Sequence, residues 1–145
     1  MSGISDLCLH ATCVALHGRA LLIRGQAGSG KSGLALQLMA FGAELVSDDR
    51  VLLREQDGHL HARAPEAIAG LIEARGIGVL IAKCADETPV CAIVDLDRVE
   101  VDRLPAQVFE LIRGIRLPVL RRVEAAHFAP ALIQYLKRGA MDPDA

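Results

Sequence analysis

The stretch that decides the fold of this 145-residue sequence is Gly25-Gln26-Ala27-Gly28-Ser29-Gly30-Lys31-Ser32. It follows the pattern G-x-x-x-x-G-K-[ST], in which glycines let backbone N–H groups turn inward around a polyphosphate. Lys31 then places a positive charge at the β- and γ-phosphates, and the Ser32 hydroxyl is a ligand for Mg²⁺. The sequence therefore predicts a phosphate-binding loop made of all eight residues.

The segments on either side of this loop have the order that phosphate binding requires. Residues 20–23 are an apolar run typical of a buried strand, and residues 32–41 carry apolar side chains at helical spacing. Gly42 stands where a glycine commonly ends a helix. A helix that begins at the loop adds its partial positive charge to the phosphate site. Strand, loop and helix together predict a nucleotide site.

The amino-acid composition limits the classes of protein to which this sequence can belong. The length fits one domain, hydrophobic residues make up 52% and charged residues 23%, and the formal net charge is -2. A balance this close to neutral disfavours a nucleic-acid binder, and the absence of Trp disfavours stacking on single-stranded bases. There is neither an 18-residue apolar run nor the basic start of a signal peptide, so we expect a cytoplasmic protein. Reduced thiols are expected at Cys8, Cys13, Cys84 and Cys91.

The rest of the chain mixes short strand and helix patterns without a regular βαβ alternation. We predict strands over residues 7–16, 21–24, 43–47, 51–54, 59–63, 90–96 and 117–120. We predict helices over residues 32–41, 65–71, 105–112 and 129–137. Two hairpin signals indicate antiparallel pairing. The expected fold is therefore one α/β domain over residues 1–138, with a mixed, partly antiparallel sheet flanked by helices, and a polar tail over residues 139–145.

Three acidic sites are candidates for a role beside the loop: the Asp48-Asp49 pair, Asp95 and Glu73. Asp48 and Asp49 follow Lys31 by 17 and 18 residues, directly after a predicted strand. Asp95 ends the apolar run at residues 90–94, which suits the metal-binding acid of an ordinary P-loop enzyme. Glu73 lies in a glycine-flanked segment. A carboxylate here can hold Mg²⁺ or accept the proton of an attacking hydroxyl, and the residues alone leave these roles open.

Four stretches in register resemble the catalytic C-terminal domain of the HPr kinase/phosphorylase family. They are Leu9-His10, the loop at residues 25–32, Leu45-Val46-Ser47-Asp48-Asp49-Arg50-Val51, and Ile72-Glu73-Ala74-Arg75-Gly76-Ile77-Gly78. The match covers roughly residues 7–120. It implies the P-loop fold of that domain, which is similar to PEP carboxykinase.

The resemblance also implies roles for single residues. The loop residues would bind the phosphates of ATP, and Ser32 and Glu73 would bind Mg²⁺. Asp49 would accept the proton of the substrate serine, with Lys31 at the phosphates. His10, Asp48 and Arg103 would complete the catalytic set. The implied partner is HPr or an HPr-like phosphocarrier protein.

This sequence departs from the family's pattern in several places. Gly33 stands where an acidic residue is usual, and Leu120-Arg121-Arg122 follow Val119 where the family has Pro, Gly and Arg. We expect a short form without the family's additional N-terminal domain and without most of its long C-terminal helix. From the lost Pro-Gly-Arg stretch we predict a kinase with weak or absent phosphorylase activity. From the missing part of the family's assembly surface we expect a homo-oligomer smaller than the family's hexamer, or a monomer. The alternatives are a small-molecule kinase that uses Asp95, and an ATP-sensing module that transfers nothing.

Overall fold

The structure, a computed structural model, describes residues 6–142, and within them it has eleven strands and two α-helices. The strands are β1 (Leu7–Leu9), β2 (Thr12–Leu16), β3 (Arg19–Arg24), β4 (Glu44–Ser47), β5 (Val51–Gln56), β6 (His59–Arg63), β7 (Leu71–Ala74), β8 (Gly78–Ile81), β9 (Thr88–Val99), β10 (Phe109–Ile112) and β11 (Ile115–Arg122). The helices are α1 (Lys31–Ala40) and α2 (Phe128–Arg138), and a single 3₁₀ turn spans Glu66–Ile68.

Nine of these strands form one mixed sheet, and this confirms the predicted fold class. The hydrogen-bonded order is β1-β5-β6-β9-β3-β2-β4, with β11 added on β9 and β10 on β11. Among the strand pairs within residues 6–142, β3–β9 and β9–β11 are parallel and the others are antiparallel. The long strand β9 therefore joins the antiparallel β5–β6 hairpin to the parallel centre of the sheet. Strands β7 and β8 form a separate antiparallel hairpin.

The two faces of the sheet bury two apolar clusters, because side chains alternate along the central strands. Leu21 and Ile23 of β3 point toward helices α1 and α2 and pack with Leu38 and Leu136. Leu22, the residue between them, packs on the opposite face against apolar residues of β5 and β6. A fully buried leucine contributes about 1.5–3 kcal/mol. The loop that follows β3 is therefore anchored at its N-terminal end by a strand that is buried on both faces.

Most of the predicted elements are present near their predicted bounds. The Asp57-Gly58 and His17-Gly18 turns have positive φ at both residues, as a tight hairpin turn requires. Gly42 ends α1 in the left-handed region with φ of 108°, and its N–H donates to the Met39 carbonyl. The four cysteines are free thiols, and burial raises the pKa of the Cys13 thiol.

Three predicted elements were wrong. The strand predicted over residues 7–16 is broken at His10-Ala11 into β1 and β2, which pair with different partners. The helix predicted over residues 65–71 is only the 3₁₀ turn, because β7 begins at Leu71. The helix predicted over residues 105–112 is an irregular segment followed by β10, which pairs with β11. In the predicted tail, residues 139–142 have no regular structure and residues 143–145 lie outside the described part.

Neither helix within residues 6–142 is long and apolar enough to cross a membrane.

Candidate active site

The loop at residues 25–32 closes on itself between β3 and α1. Gly28 and Gly30 have φ of 83° and 103°, a region that glycine enters without steric cost. The Lys31 side chain is buried, and its Nζ donates to the carbonyls of Gly25 at 2.7 Å and Gln26 at 3.1 Å. Lys31 therefore draws the two ends of the loop together around the start of α1.

Gly25 is required for this closure because the loop leaves no room for a side chain at this position. A Cβ at this position would lie 2.4 Å from the Ser29 Oγ and 3.2 Å from the Leu96 Cβ, both closer than ordinary contact. The Ser29 N–H donates to the Gln26 carbonyl at 3.0 Å, which forms the turn within the loop. The first glycine of the pattern thus permits the close approach of Ser29 to β3.

The N-terminus of α1 is well suited to an anion. Its N-cap residue, Gly30, offers no side chain to the first backbone N–H groups, and the first turn carries no acidic residue. These N–H groups have no partner within a helix, and the helix dipole places partial positive charge there. Gly33, in the same turn, is exposed and borders open space. The helix end and the loop together can hold a phosphate chain.

Asp48 is buried and tied directly to the loop. Its Oδ1 accepts hydrogen bonds from the Ser32 hydroxyl at 2.7 Å and the Thr12 hydroxyl at 2.8 Å, and its Oδ2 accepts from the Glu73 backbone N–H at 3.1 Å. Three elements, β2, α1 and β7, thus fix one carboxylate beside the serine of the loop. Thr12 has no counterpart among the residues predicted from the sequence, because a threonine in a strand is an ordinary strand residue.

Asp49 is exposed at the surface, whereas Asp48 is buried. Its backbone is in the left-handed region with φ of 72°, which turns the chain between the two carboxylates. A 2.8 Å hydrogen bond joins its Oδ1 to Nε2 of His10, and the two side chains are 60% and 58% exposed. Because a carboxylate only accepts, the imidazole donates from Nε2. The break between β1 and β2 places His10 opposite Asp49, where the Ala11 N–H also donates to the Asp49 carbonyl at 3.2 Å.

Asp95 takes part in a different set of contacts at the base of the loop. Its Oδ1 accepts the Asp97 N–H at 2.9 Å, and its Oδ2 lies 3.7 Å from the Arg24 guanidinium. The Asp97 Oδ1 in turn accepts the Gln26 N–H at 3.0 Å. These contacts make the end of β9 a support for the loop. Asp97 is a second site residue that could not be recognised from the sequence, because it is one of several charged residues near a strand end.

Arg24 and Glu110 form a paired contact next to this support. Two hydrogen bonds join the guanidinium to the carboxylate, one of them at 2.6 Å. The bonds lower the pKa of the Glu110 carboxyl and raise the pKa of Arg24. The pair thus connects β10 to the strand that enters the loop.

The remaining predicted residues are less closely tied to the loop. The Glu73 side chain is exposed on β7, although its backbone N–H holds Asp48. Arg103 lies exposed in the irregular segment at residues 101–108, and within residues 6–142 no hydrogen bond or ion pair brings it to the loop. The structure therefore brings together His10, Lys31, Ser32, Asp48 and Asp49, with Glu73 at the edge and Arg103 apart.

The donor set beside the loop fits Mg²⁺. Mg²⁺ prefers oxygen ligands and is usually held by one or two carboxylates together with substrate phosphates. The Ser32 hydroxyl and the Asp48 carboxylate supply such oxygens within 2.7 Å of each other. Between residues 6 and 142 there is no cluster of three or more acidic, histidine or cysteine side chains that would form a protein-only metal site. The protein ligands therefore suit an ion shared with a phosphate chain.

Comparison with known proteins identifies the family of this chain. The family model of the HPr serine kinase C-terminal domain matches residues 4–116. This chain belongs to the HPr serine kinase C-terminal domain family. Its membership confirms the resemblance predicted from the loop and from the three motifs that surround it.

Two curated relatives align with different lengths of this HPr serine kinase domain. The HPr kinase/phosphorylase of Clostridium perfringens is 44% identical over 72 residues, which cover 50% of this chain and 24% of that protein. The enzyme of the same name from Clostridium tetani is 30% identical over an alignment that covers 77% of this chain and 42% of that protein. The chain thus spans less than half the length of these curated relatives.

A solved structure is similar over nearly the whole domain. The structure of the Hpr(Ser) kinase/phosphatase from Coxiella burnetii superposes with a TM-score of 0.74 at 26% identity. The match covers 91% of this chain and 94% of that chain. The mixed sheet and its flanking helices are therefore the fold of an HPr kinase domain.

Proposed function

We propose that this chain is an ATP-dependent serine kinase that phosphorylates HPr or an HPr-like phosphocarrier protein. The observation that carries the proposal is the arrangement of two adjacent carboxylates: Asp48 faces the serine of the phosphate-binding loop, and Asp49 faces solvent with His10. Asp48 can act near the phosphates of the nucleotide. Asp49 can contact the hydroxyl of an acceptor that approaches from solvent. An exposed base suits an acceptor as large as a protein.

In this mechanism the loop N–H groups and Lys31 bind the phosphates of ATP. The hydroxyl oxygen of the acceptor serine attacks the γ-phosphorus, the bond from phosphorus to the bridging oxygen breaks, and ADP leaves. The Asp49 carboxylate, held by His10 at Oδ1 and 3.7 Å from the Arg50 guanidinium at Oδ2, would receive the serine proton. Arg103 would supply positive charge to the transferring phosphoryl group once its segment lies against the nucleotide.

Mg²⁺, when bound, neutralises the developing charge between the β- and γ-phosphates. Ser32 and Asp48 would hold it, with Glu73 at the edge of the same site. The contacts of Asp48 with the Thr12 hydroxyl and the Glu73 N–H hold that carboxylate beside Ser32.

We also propose the domain bounds, the location and the assembly of this kinase. Residues 1–138 would form the catalytic domain and residues 139–145 a tail, in a cytoplasmic protein that needs neither nucleic acid nor membrane. The assembly would be a homo-oligomer smaller than a hexamer, and phosphorylase activity would be weak or absent. Family membership and the geometry around Asp49 support the kinase reaction. The residues at positions 120–122, which replace Pro, Gly and Arg, support the expectation of weak or absent phosphorylase activity.

The test is phosphoserine formation on purified HPr-type phosphocarriers incubated with the chain, ATP and Mg²⁺, followed by mass spectrometry. We expect one serine to be modified. Asp49→Asn should lower the transfer rate by about 10²- to 10⁴-fold, because the proton acceptor is lost. ATP binding, measured by titration calorimetry, should be retained. Asp57→Asn is the matched control, since Asp57 also has a positive φ and asparagine tolerates that conformation.

Two outcomes would favour the alternatives. Loss of metal-dependent nucleotide binding in Asp95→Asn, together with full transfer in Asp49→Asn, would favour a small-molecule kinase built on Asp95. The contacts of Asp95 with Arg24 and the Asp97 N–H argue against this, because they direct the carboxylate to the base of the loop. Nucleotide binding by the wild type without transfer to any phosphocarrier would favour an ATP-sensing module.

A further inference from the structure

Arg122 makes a contact with the phosphate-binding loop that the mechanism above does not use. It is the last residue of β11, and the pairing with β9 shifts register between Arg121 and Arg122. After this irregularity the Arg122 Nε donates to the Leu96 carbonyl at 3.1 Å, and its Nη2 donates to the Ser29 carbonyl. One half-buried guanidinium thus joins the end of β9 to the middle of the loop.

The Ser29 carbonyl belongs to a peptide group that the local backbone leaves free to turn. Its neighbours Gly28 and Gly30 both have positive φ, and glycine crosses between backbone regions more easily than any other residue. In a trans peptide the C=O and the following N–H point in opposite directions. Whatever fixes the Ser29 carbonyl therefore also fixes the direction of the Gly30 N–H, which stands at the first turn of α1.

Arg122 lines two clefts beside the phosphate-binding loop, and this supports a role in positioning the loop. It lines a cleft of about 570 Å³ along residues 26–29 and Asp97. It also lines a smaller cleft of about 230 Å³ along Gly30, Gly33 and Gln37. The guanidinium thus borders the loop on both sides of the Ser29–Gly30 peptide.

We propose that Arg122 is a positioning residue for the phosphate-binding loop. It holds the Ser29 carbonyl outward, so that the Gly30 N–H faces the phosphates of the bound nucleotide. This inference rests on the proposed function in taking the ligand as a nucleoside triphosphate. It assigns to Arg122 the orientation of one loop peptide and no contact with the reacting atoms.

The test measures nucleotide binding separately from transfer. Arg122→Met should raise the Kd for ATP about 10- to 100-fold, because hydrogen bonds to a charged donor are lost and each tenfold corresponds to about 1.4 kcal/mol. Arg122→Lys should recover only part of the affinity, since one ammonium does not reproduce the two-donor fork. In ¹⁵N–¹H spectra, the shift of the Gly30 amide on addition of ATP should be present in the wild type and lost in Arg122→Met.

A rescue experiment separates positioning from general destabilisation. Free guanidinium at low millimolar concentration should lower the Kd of Arg122→Ala for ATP, while urea at the same concentration should not. Arg121→Met is the matched control on the same strand and should leave the Kd unchanged. If Arg122→Met does not fold, Arg122→Lys and its Gly30 shift decide the matter.

Failure of this inference and failure of the kinase proposal would give different results. Wild-type affinity and a wild-type Gly30 shift in a folded Arg122 variant would overturn the inference and leave the kinase proposal standing. ATP binding that depends on Arg122, in a wild type that phosphorylates no phosphocarrier, would overturn the kinase proposal and support the inference.

Discussion

At the scale of single residues, the Asp48-Asp49 pair shows how two identical side chains acquire different chemistry. Asp48 is buried against Ser32 and Thr12, and Asp49 is exposed against His10. The left-handed backbone at Asp49 separates them. Adjacent positions in the sequence thus place one carboxylate against the serine of the loop and the other at the surface with His10.

The sequence identified some of these residues and not others, for a physical reason. The loop and the Asp48-Asp49 pair stand in short patterns whose spacing follows from phosphate binding. Thr12 and Arg122 act through contacts with residues 36 and 93 positions away, at Asp48 and Ser29. A pattern within one segment cannot show such contacts, because they depend on which strands are neighbours.

Thr12 gives a direct test of how firmly Asp48 is held. Thr12→Val keeps the side-chain shape and removes a buried donor, so the free energy of unfolding should fall by about 1–3 kcal/mol in urea denaturation. Thr12→Ser keeps the hydroxyl and should recover most of this loss. Equal losses in both variants would show that packing of the Thr12 methyl group, and not the bond to Asp48, provides the stabilisation.

At the scale of elements, the error at residues 105–112 shows the limit of apolar periodicity. Phe109–Ile112 is short enough to suit either a helix or a strand. The deciding signal was Arg113-Gly114, whose φ values of 52° and 78° form a two-residue turn into β11. Pairing with β11 therefore overrides the helical pattern.

The Arg24–Glu110 contact holds this hairpin to the strand that enters the loop, and it makes the attachment sensitive to acid. The folded-state pKa of Glu110 lies below its unfolded value near 4.3 because Arg24 hydrogen-bonds to the carboxylate. The contribution to stability is therefore fully present above the unfolded pKa and is lost as pH falls through the folded pKa.

Glu110→Gln should consequently lower the Tm at pH 7 relative to the wild type, and the difference should shrink as pH falls below about 4. Thermal melts between neutral pH and pH 3 measure it. Glu66→Gln, which removes an exposed carboxylate on the 3₁₀ turn, is the control and should follow the wild type across this range. A Glu110→Gln difference that stays constant with pH would contradict the assignment.

At the scale of the whole molecule, the class of the fold followed from the order of elements but the sheet order did not. Hairpin turns at Asp57-Gly58 and His17-Gly18 predicted the antiparallel parts. The central place of β9 follows from its twelve residues, which pair with β6, β3 and β11 in succession. Those pairings join segments far apart in the chain, and no local pattern specifies them.

The path of the chain after Pro118 bears on whether the proposed kinase also catalyses the reverse reaction. The family resemblance associates Pro, Gly and Arg at this point with phosphorylase activity. Here the residues that follow Val119 continue β11 as a regular strand paired with β9 as far as Arg121. Arg122 is then fixed to the Ser29 carbonyl. A paired strand gives this segment little freedom to admit inorganic phosphate beside a phosphorylated serine.

We therefore expect the chain to release little HPr and pyrophosphate from serine-phosphorylated HPr and inorganic phosphate. The same preparation should form phosphoserine readily from ATP, and this forward rate is the control for correct folding. Pyrophosphate released at a rate comparable to the forward transfer would contradict the prediction. It would also show that the proton held by Asp49 can return to the serine oxygen without the Pro-Gly-Arg segment, so that the direction of the reaction depends on the phosphate supplied and not on the path of β11.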